Sequence, residues 1–295
     1  DFSAFAFIPF AFWGLYRYTA VGGYWRLLIG AFSTALLVLS STSVALITFP
    51  ALLLLFATML FFEWKDRESS VIPALARGLW LFILALGLSA FYWLPSLAET
   101  DFVHLHRRLE GPADFHNHFL YIHQLVFPQW GYGLSLPGSE DGMNFAIGPI
   151  HLLLLATSFW VIWRTATRLR QVGFLVPFFV SLSVLAGFFT IGTSVFIWER
   201  LSFLQMLQFP WRFLSLIAMS TGFVSGSMFL IFFRESRWRA TGLMWILIVA
   251  LVVVGFPHAK PIGFVVINGS VTPSFIVTSG RQDTLKQLEP IWVRQ

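Results

Sequence analysis

Residues 27–62 read LLIGAFSTALLVLSSTSVALITFPALLLLFATMLFF and hold no charged side chain over 36 positions. As one α-helix this run would extend about 54 Å at 1.5 Å per residue, well beyond a hydrocarbon core of about 30 Å. It is therefore read as two passes. The break falls at Ser40-Ser41-Thr42-Ser43, the densest polar cluster in the run. Pro50 then lies inside the second pass, where neighbouring helices can satisfy the carbonyl it frees.

The rest of the chain agrees with a bilayer as its solvent. Of its 295 residues, 57% are hydrophobic and 11% charged, with a mean hydropathy of +0.75. A soluble domain carries about 25% charged residues. Thirty-four Phe and thirteen Trp suit lipid-facing and interfacial positions. The formal charge of +5 comes from basic residues in short loops, where they set orientation and form no stripe for nucleic acid. With no cysteine, neither disulfides nor thiolate chemistry is available. The first apolar run is under way by Phe2 without a basic leader, so the expectation is a chain lacking upstream helices.

Around residues 27–62, six further spans are expected: Phe2 to Leu15, Ala76 to Leu94, Phe145 to Trp163, Val172 to Ile191, Trp211 to Phe233 and Thr241 to Phe256. Tyr16, Arg17 and Tyr18 read as an interfacial collar, and Gly192 to Phe209 as a return segment with one short helix lying in the interface. With eight passes, the loops 17–26, 63–70, 164–170 and 234–239 fall on one side and carry ten basic residues in 31 positions. The other side carries eight in about 110. The first set is thus cytoplasmic, and both visible ends lie outside. A single pass at 27–62 would move the first loop to the wrong side, so charge supports the split.

Residues 1–256 form a transmembrane helical domain that includes the outer loop 95–144. From Pro257 the character changes. Phe264 to Ile267, an Asn268-Gly269 turn and a run through Val277 read as a hairpin, the start of a truncated extracytoplasmic β-rich domain at 257–295.

The long polar passage from Glu99 to Asn144 holds five of the seven histidines and six of the fourteen acids. Glu99 and Asp101 follow a span directly. A carboxylate partly desolvated there suits deprotonation of a hydroxyl, a role given to Glu99, with Asp101 read as a solvated helix end. His104 with His106, and His116 with His118, are spaced i, i+2, on one face of a strand. With Asp101 or Asp114 they have the donor types of a zinc or manganese site, but loop histidines more often serve as hydrogen-bonding groups. No cofactor is evident. Trp130 and Tyr132 stand among glycines in Trp130-Gly-Tyr-Gly133, as sugar platforms or interface anchors. Asp141 is read as a substrate carboxylate or a helix-start acid. Arg212 falls within a turn of the outer surface, where a guanidinium can fork phosphate oxygens, snorkel to headgroups or pair with Glu199.

Several of these stretches carry a resemblance. Ala4 to Pro9, Leu86 to Pro95 followed by Glu99, His118-Phe119, Gln124-Leu125, Trp130 to Gly133, Asp141 to Met143 and above all Leu207-Gln-Phe-Pro-Trp-Arg-Phe213 resemble the 6-pyruvoyl-tetrahydropterin-synthase-related membrane domain of bacteria and archaea. That domain in turn is similar to glycosyltransferases of the GT-C architecture. The resemblance implies a multi-span enzyme of a prokaryotic cytoplasmic membrane that takes sugar from a polyprenyl-phosphate donor on the extracytoplasmic face. It supports Glu99 as base, His118 as a functional group and Arg212 as a donor ligand. GT-C enzymes generally place a catalytic acid in a first outer loop, which this chain does not include.

The expected class is thus an all-α polytopic membrane protein of about eight helices, GT-C-like, with membrane lipid and the sugar donor as partners. The rival is a non-catalytic membrane protein, a transporter or an envelope-polymer scaffold. No charged residue lies mid-span, which counts against ion-coupled transport.

Overall fold

A computed structural model describes residues 2–65, 70–102, 114–127, 131, 133, 135–139, 141–168, 173–235 and 237–256. Among them the chain is mostly helical with no β-strand. The long helices are α1 (Phe2–Val21), α2 (Tyr24–Ser40), α3 (Thr42–Lys65) and α4 (Val71–Ala98). After the one-turn α5 (Ile122–Val126) come α6 (Pro149–Arg168) and α7 (Leu175–Thr190). The short α8 (Val195–Trp198) and α9 (Ser202–Gln205) follow, then α10 (Leu214–Glu235) and α11 (Arg237–Gly255). Two of these, α3 and α4, are long and apolar enough to cross a membrane. The β-rich tail expected at 257–295 lies outside the described residues.

The break in the charge-free run sits at Ser41, which is extended between α2 and α3. Its backbone carbonyl accepts from Ala45 and its hydroxyl from the Val44 N–H at 3.3 Å, so serine both ends one helix and caps the next.

Other boundaries move for local reasons. The first helix continues past Leu15 through the aromatic collar to Val21, because no breaker occurs before Gly22 and Gly23, both at positive φ. Phe145 to Gly148 is not helical. Gly148 at φ 89° ends the incoming segment, and Pro149 opens α6 at a position that needs no N–H donor. The last expected span is α11, which starts at Arg237, ahead of Thr241. The return segment forms a 3₁₀ turn, Gly192–Ser194, that runs into α8, then the single turn α9, in place of one short helix, and Gln208, at φ 62°, turns the chain before Pro210.

The chain divides into two compact units: Asp1–Pro95 with Leu153–Thr190 and Arg212–Met228, and Ser96–Leu152 with Ile191–Trp211 and Phe229–Gln295. In the first unit α1 packs on α2 and α3. The α1–α2 crossing is so close that a Cβ on Gly14 would meet the backbone of Gly30. Small residues at a crossing let helices approach where lipid supplies no hydrophobic drive between them. Arg77 secures the end of α1, donating to the Thr19 and Ala20 carbonyls at 3.1 and 3.3 Å. Ile8, Leu15, Leu37, Leu52 and Leu81 are fully buried, with Phe12 against Phe179 and Phe56 against Phe82.

Candidate functional site

The second unit gathers most of the polar passage. Asp114 opens a one-turn 3₁₀-helix, Phe115–His118, by accepting the His116 N–H at 3.0 Å. The 3₁₀ turn, in place of a strand, sends His116 and His118 to different surroundings. His118 is buried, with Nδ1 2.9 Å from the Ser135 hydroxyl and its ring edge-on to Phe209 at 4.7 Å. His116 stays half-exposed, with Nδ1 2.7 Å from Asp114 Oδ1 and Nε2 3.4 Å from Glu199 Oε1. No group of three or more His, Asp or Glu side chains among the described residues is placed to hold a metal ion. His104 and His106 lie outside those residues.

Burial pulls the His116 imidazole down, but hydrogen bonds and charge from Asp114 and Glu199 outweigh it and raise it above the ordinary histidine value. A group raised in the folded state contributes stability that is fully present below its unfolded value of about 6.5 and lost as pH rises through the folded value. The stability gap between wild type and His116→Gln should therefore be widest near pH 5 and close above the folded value. Because all three groups are partly open to water, which screens their charges, it should stay below about 1 kcal/mol. Melting curves from pH 5 to 9 check this, and a gap that widens with pH would reverse the assignment.

Gln124, buried on α5, organises the neighbouring loop. Its Oε1 accepts from the Tyr121 N–H at 2.8 Å, and its Nε2 donates to the Ser139 carbonyl at 3.1 Å and to Asp141 Oδ2 at 2.7 Å. The other Asp141 oxygen accepts from the Leu136 N–H at 2.7 Å. Asp141 thus ties Leu136 to Gln124 of α5. It does not start a helix, since α6 begins eight residues later at Pro149. Replacing Gln124 by leucine removes the amide donor from a fixed carboxylate and the acceptor from a backbone N–H. A loss of about 2–3 kcal/mol is expected, with faster proteolysis at 135–141.

The glycines beside Trp130 and Tyr132 have a packing role. Gly133 N–H donates to the Gly142 carbonyl at 2.6 Å, and a Cβ on Gly133 would come within 2.7 Å of Gly142 Cα. Trp130 and Tyr132 themselves lie outside the described residues. Glu99 is exposed in the turn after α4, its carbonyl accepting from Phe102 N–H at 3.0 Å.

A parallel bridge between Leu120 and Ile191 joins the passage to the return segment. Beside it opens a cleft of about 580 Å³, lined by His116, Asn117, Tyr121, His123 and Thr193 among others. Tyr121 and His123 stack with centroids 5.7 Å apart. Phe119 lines the cleft and meets Trp198 edge-on at 5.7 Å; Trp198 is fully buried and stacked on Phe115 at 5.5 Å. Of the expected site residues, the structure thus assembles His118 and Asp141, through Ser135 and Gln124, on one loop. Sequence reasoning passed over Gln124 and read Glu199 as a partner for Arg212, whereas it lies 3.4 Å from His116 Nε2. Gln124 stood in a quoted motif, but its partners are 15 and 17 positions away and no local pattern points to them.

Arg212 belongs to the first unit. It lies in a 3₁₀ turn, Pro210–Phe213, that leads into α10, and its guanidinium donates to the Ser43 hydroxyl at 2.9 Å. The class these observations define is a predominantly helical protein with helices able to cross a membrane. No protein-family model, curated protein or solved structure matches the chain.

Proposed function

We propose that this is an integral membrane protein of about eight passes that works as a GT-C-like glycosyltransferase. In this reading a polyprenyl-phosphate-linked sugar is the donor, the extracytoplasmic face is the working side, Glu99 is the base and Arg212 is a donor ligand. The observation that carries the membrane part is the apolar surface left bare. On α4, Ile72, Trp80, Ile83 and Phe91 are all exposed, and α11 is exposed along its length with Trp245, Ile246, Val249 and Val252 outward. Such faces suit lipid and would aggregate in water. The transferase part is supported by the family resemblance and by a cleft lined by residues of two segments expected outside, 95–144 and 192–212.

Two measurements test it. In the cysteine-free protein, a cysteine at Ser139 should react with an impermeant reagent in intact cells and one at Thr165 should resist. The reverse pattern overturns the orientation. Glu99→Gln should abolish sugar transfer from a polyprenyl-phosphate donor while expression and detergent stability stay near wild type. Correct topology with no transfer by wild-type protein across a panel of such donors would favour the scaffold reading.

A further inference from the structure

The turn between α1 and α2 is held by arginines from two different helices. Arg26, in the first turn of α2, donates to the Gly22 carbonyl at 2.8 Å, and Arg77, near the start of α4, donates to the Thr19 and Ala20 carbonyls at 3.1 and 3.3 Å. Both guanidiniums close on the same glycine pair. A Cβ on Gly22 would lie 3.3 Å from Arg77 Nε, and one on Gly23 would lie 2.8 Å from Arg26 Nη1. We propose that Arg26 and Arg77 together form a site for the phosphate of an anionic lipid headgroup.

Charge is the first reason. Among the described residues the only ion pairs are those of His116, so no carboxylate there balances either guanidinium. The C-terminus of α1 offers about half a negative charge, and the start of α2 at the same turn brings about half a positive one. Two full charges therefore meet on one turn without a counter-charge among the described residues. Geometry is the second reason. The carbonyls engage only Nη1 of each arginine, which leaves Nε and Nη2, the edge that forks a phosphate. Those bonds also hold both half-buried side chains in place, so little rotamer freedom is left to lose on binding. Depth is the third. Tyr24 and Trp25 beside the turn are exposed, with their rings edge to face at 5.7 Å, and such an aromatic pair at a helix end belongs at headgroup level. In the eight-pass reading this turn faces the cytoplasm, where the leaflet carries anionic lipid.

The site rests on the membrane reading above and is independent of sugar transfer. The test uses the full chain in detergent with cardiolipin, phosphatidylglycerol and phosphatidylcholine of matched acyl chains, read as retained adducts in native mass spectrometry and as melting shifts. Wild type should hold the two anionic lipids more than about tenfold more tightly than phosphatidylcholine. Arg26→Gln should cut that preference about fivefold, while Lys65→Gln, which removes a cation at the end of α3, should leave it unchanged. Arg77→Gln should act like Arg26→Gln, but it also frees the end of α1, so Arg26→Gln decides if Arg77→Gln does not fold. A merely structural Arg26 would lower melting in lipid-free micelles and leave the lipid preference at the wild-type level, which would overturn the proposal. An equal loss in Lys65→Gln, or no preference in wild type, would do the same. Inorganic phosphate separates the sources. Adducts that survive its excess support a headgroup held as part of a lipid, whereas displacement would reassign the turn to a free anion and overturn the lipid. A protein that stays soluble without detergent would end the membrane reading as well, but a detergent-dependent protein with no lipid preference would end only this proposal.

Discussion

Trp198→Ala should cost about 3–5 kcal/mol, the range for emptying a fully buried large aromatic site. Trp198 has no exposed surface, and two phenylalanines of the preceding polar passage rest on it, Phe115 face to face and Phe119 edge on. Both aromatic contacts bridge segments about 80 positions apart, so their loss releases the 3₁₀ turn that presents His116 and His118. The expected result in hydrogen exchange is a joint loss of protection at Asn117, whose N–H bonds Asp114, and at Glu199 to Leu201, whose N–H groups bond Val195 and Ile197. Trp198→Phe keeps an aromatic face for Phe115 and should recover more than half of the loss. Equal exchange in wild type and Trp198→Ala would show that the cleft walls are held by the Leu120–Ile191 bridge without the ring.

Gly14→Leu is expected to open the α1–α2 hairpin, at more than the roughly 1–3 kcal/mol of ordinary overpacking. Overpacking is relieved when a flexible side chain swings aside, but the obstacle at Gly14 is the Gly30 backbone. The helices must separate, and each loses contact along its length. Gly30→Ala should act in the same direction, because its Cβ would press on the Leu81 side chain and on the Gly14 backbone at 3.1 Å. Gly87→Ala serves as the control. It sits in α4 with nothing within 4 Å of its would-be Cβ, so it should be neutral or stabilise by up to about 1 kcal/mol. Thermal unfolding in one detergent measures all three, and a Gly14→Leu protein as stable as Gly87→Ala would refute the close crossing.

The sequence by itself determined where the long helices lie. The polar cluster Ser40 to Ser43 marked the break that the structure places at Ser41, because a serine hydroxyl competes for backbone N–H groups that a leucine leaves to the helix. Helix ends that depend on backbone conformation were less visible. Nothing in composition separates Gly148 from the glycines inside helices, yet its φ of 89° delays α6 to Pro149.

Tertiary structure decided what the polar residues do. Trp198 falls in the return segment read as a short interfacial helix, and it is fully buried against Phe115 and Phe119. Asp141 reads as a substrate carboxylate or a helix-start acid and has both oxygens engaged by Gln124 and Leu136. The pairing of His116 with Glu199 joins positions 83 apart. Helices follow from hydrogen bonds four residues apart and from how a local run of side chains meets its solvent, so a short window of sequence carries them. Each contact at the site depends on which distant segment arrives beside it, and that is set by packing the whole unit.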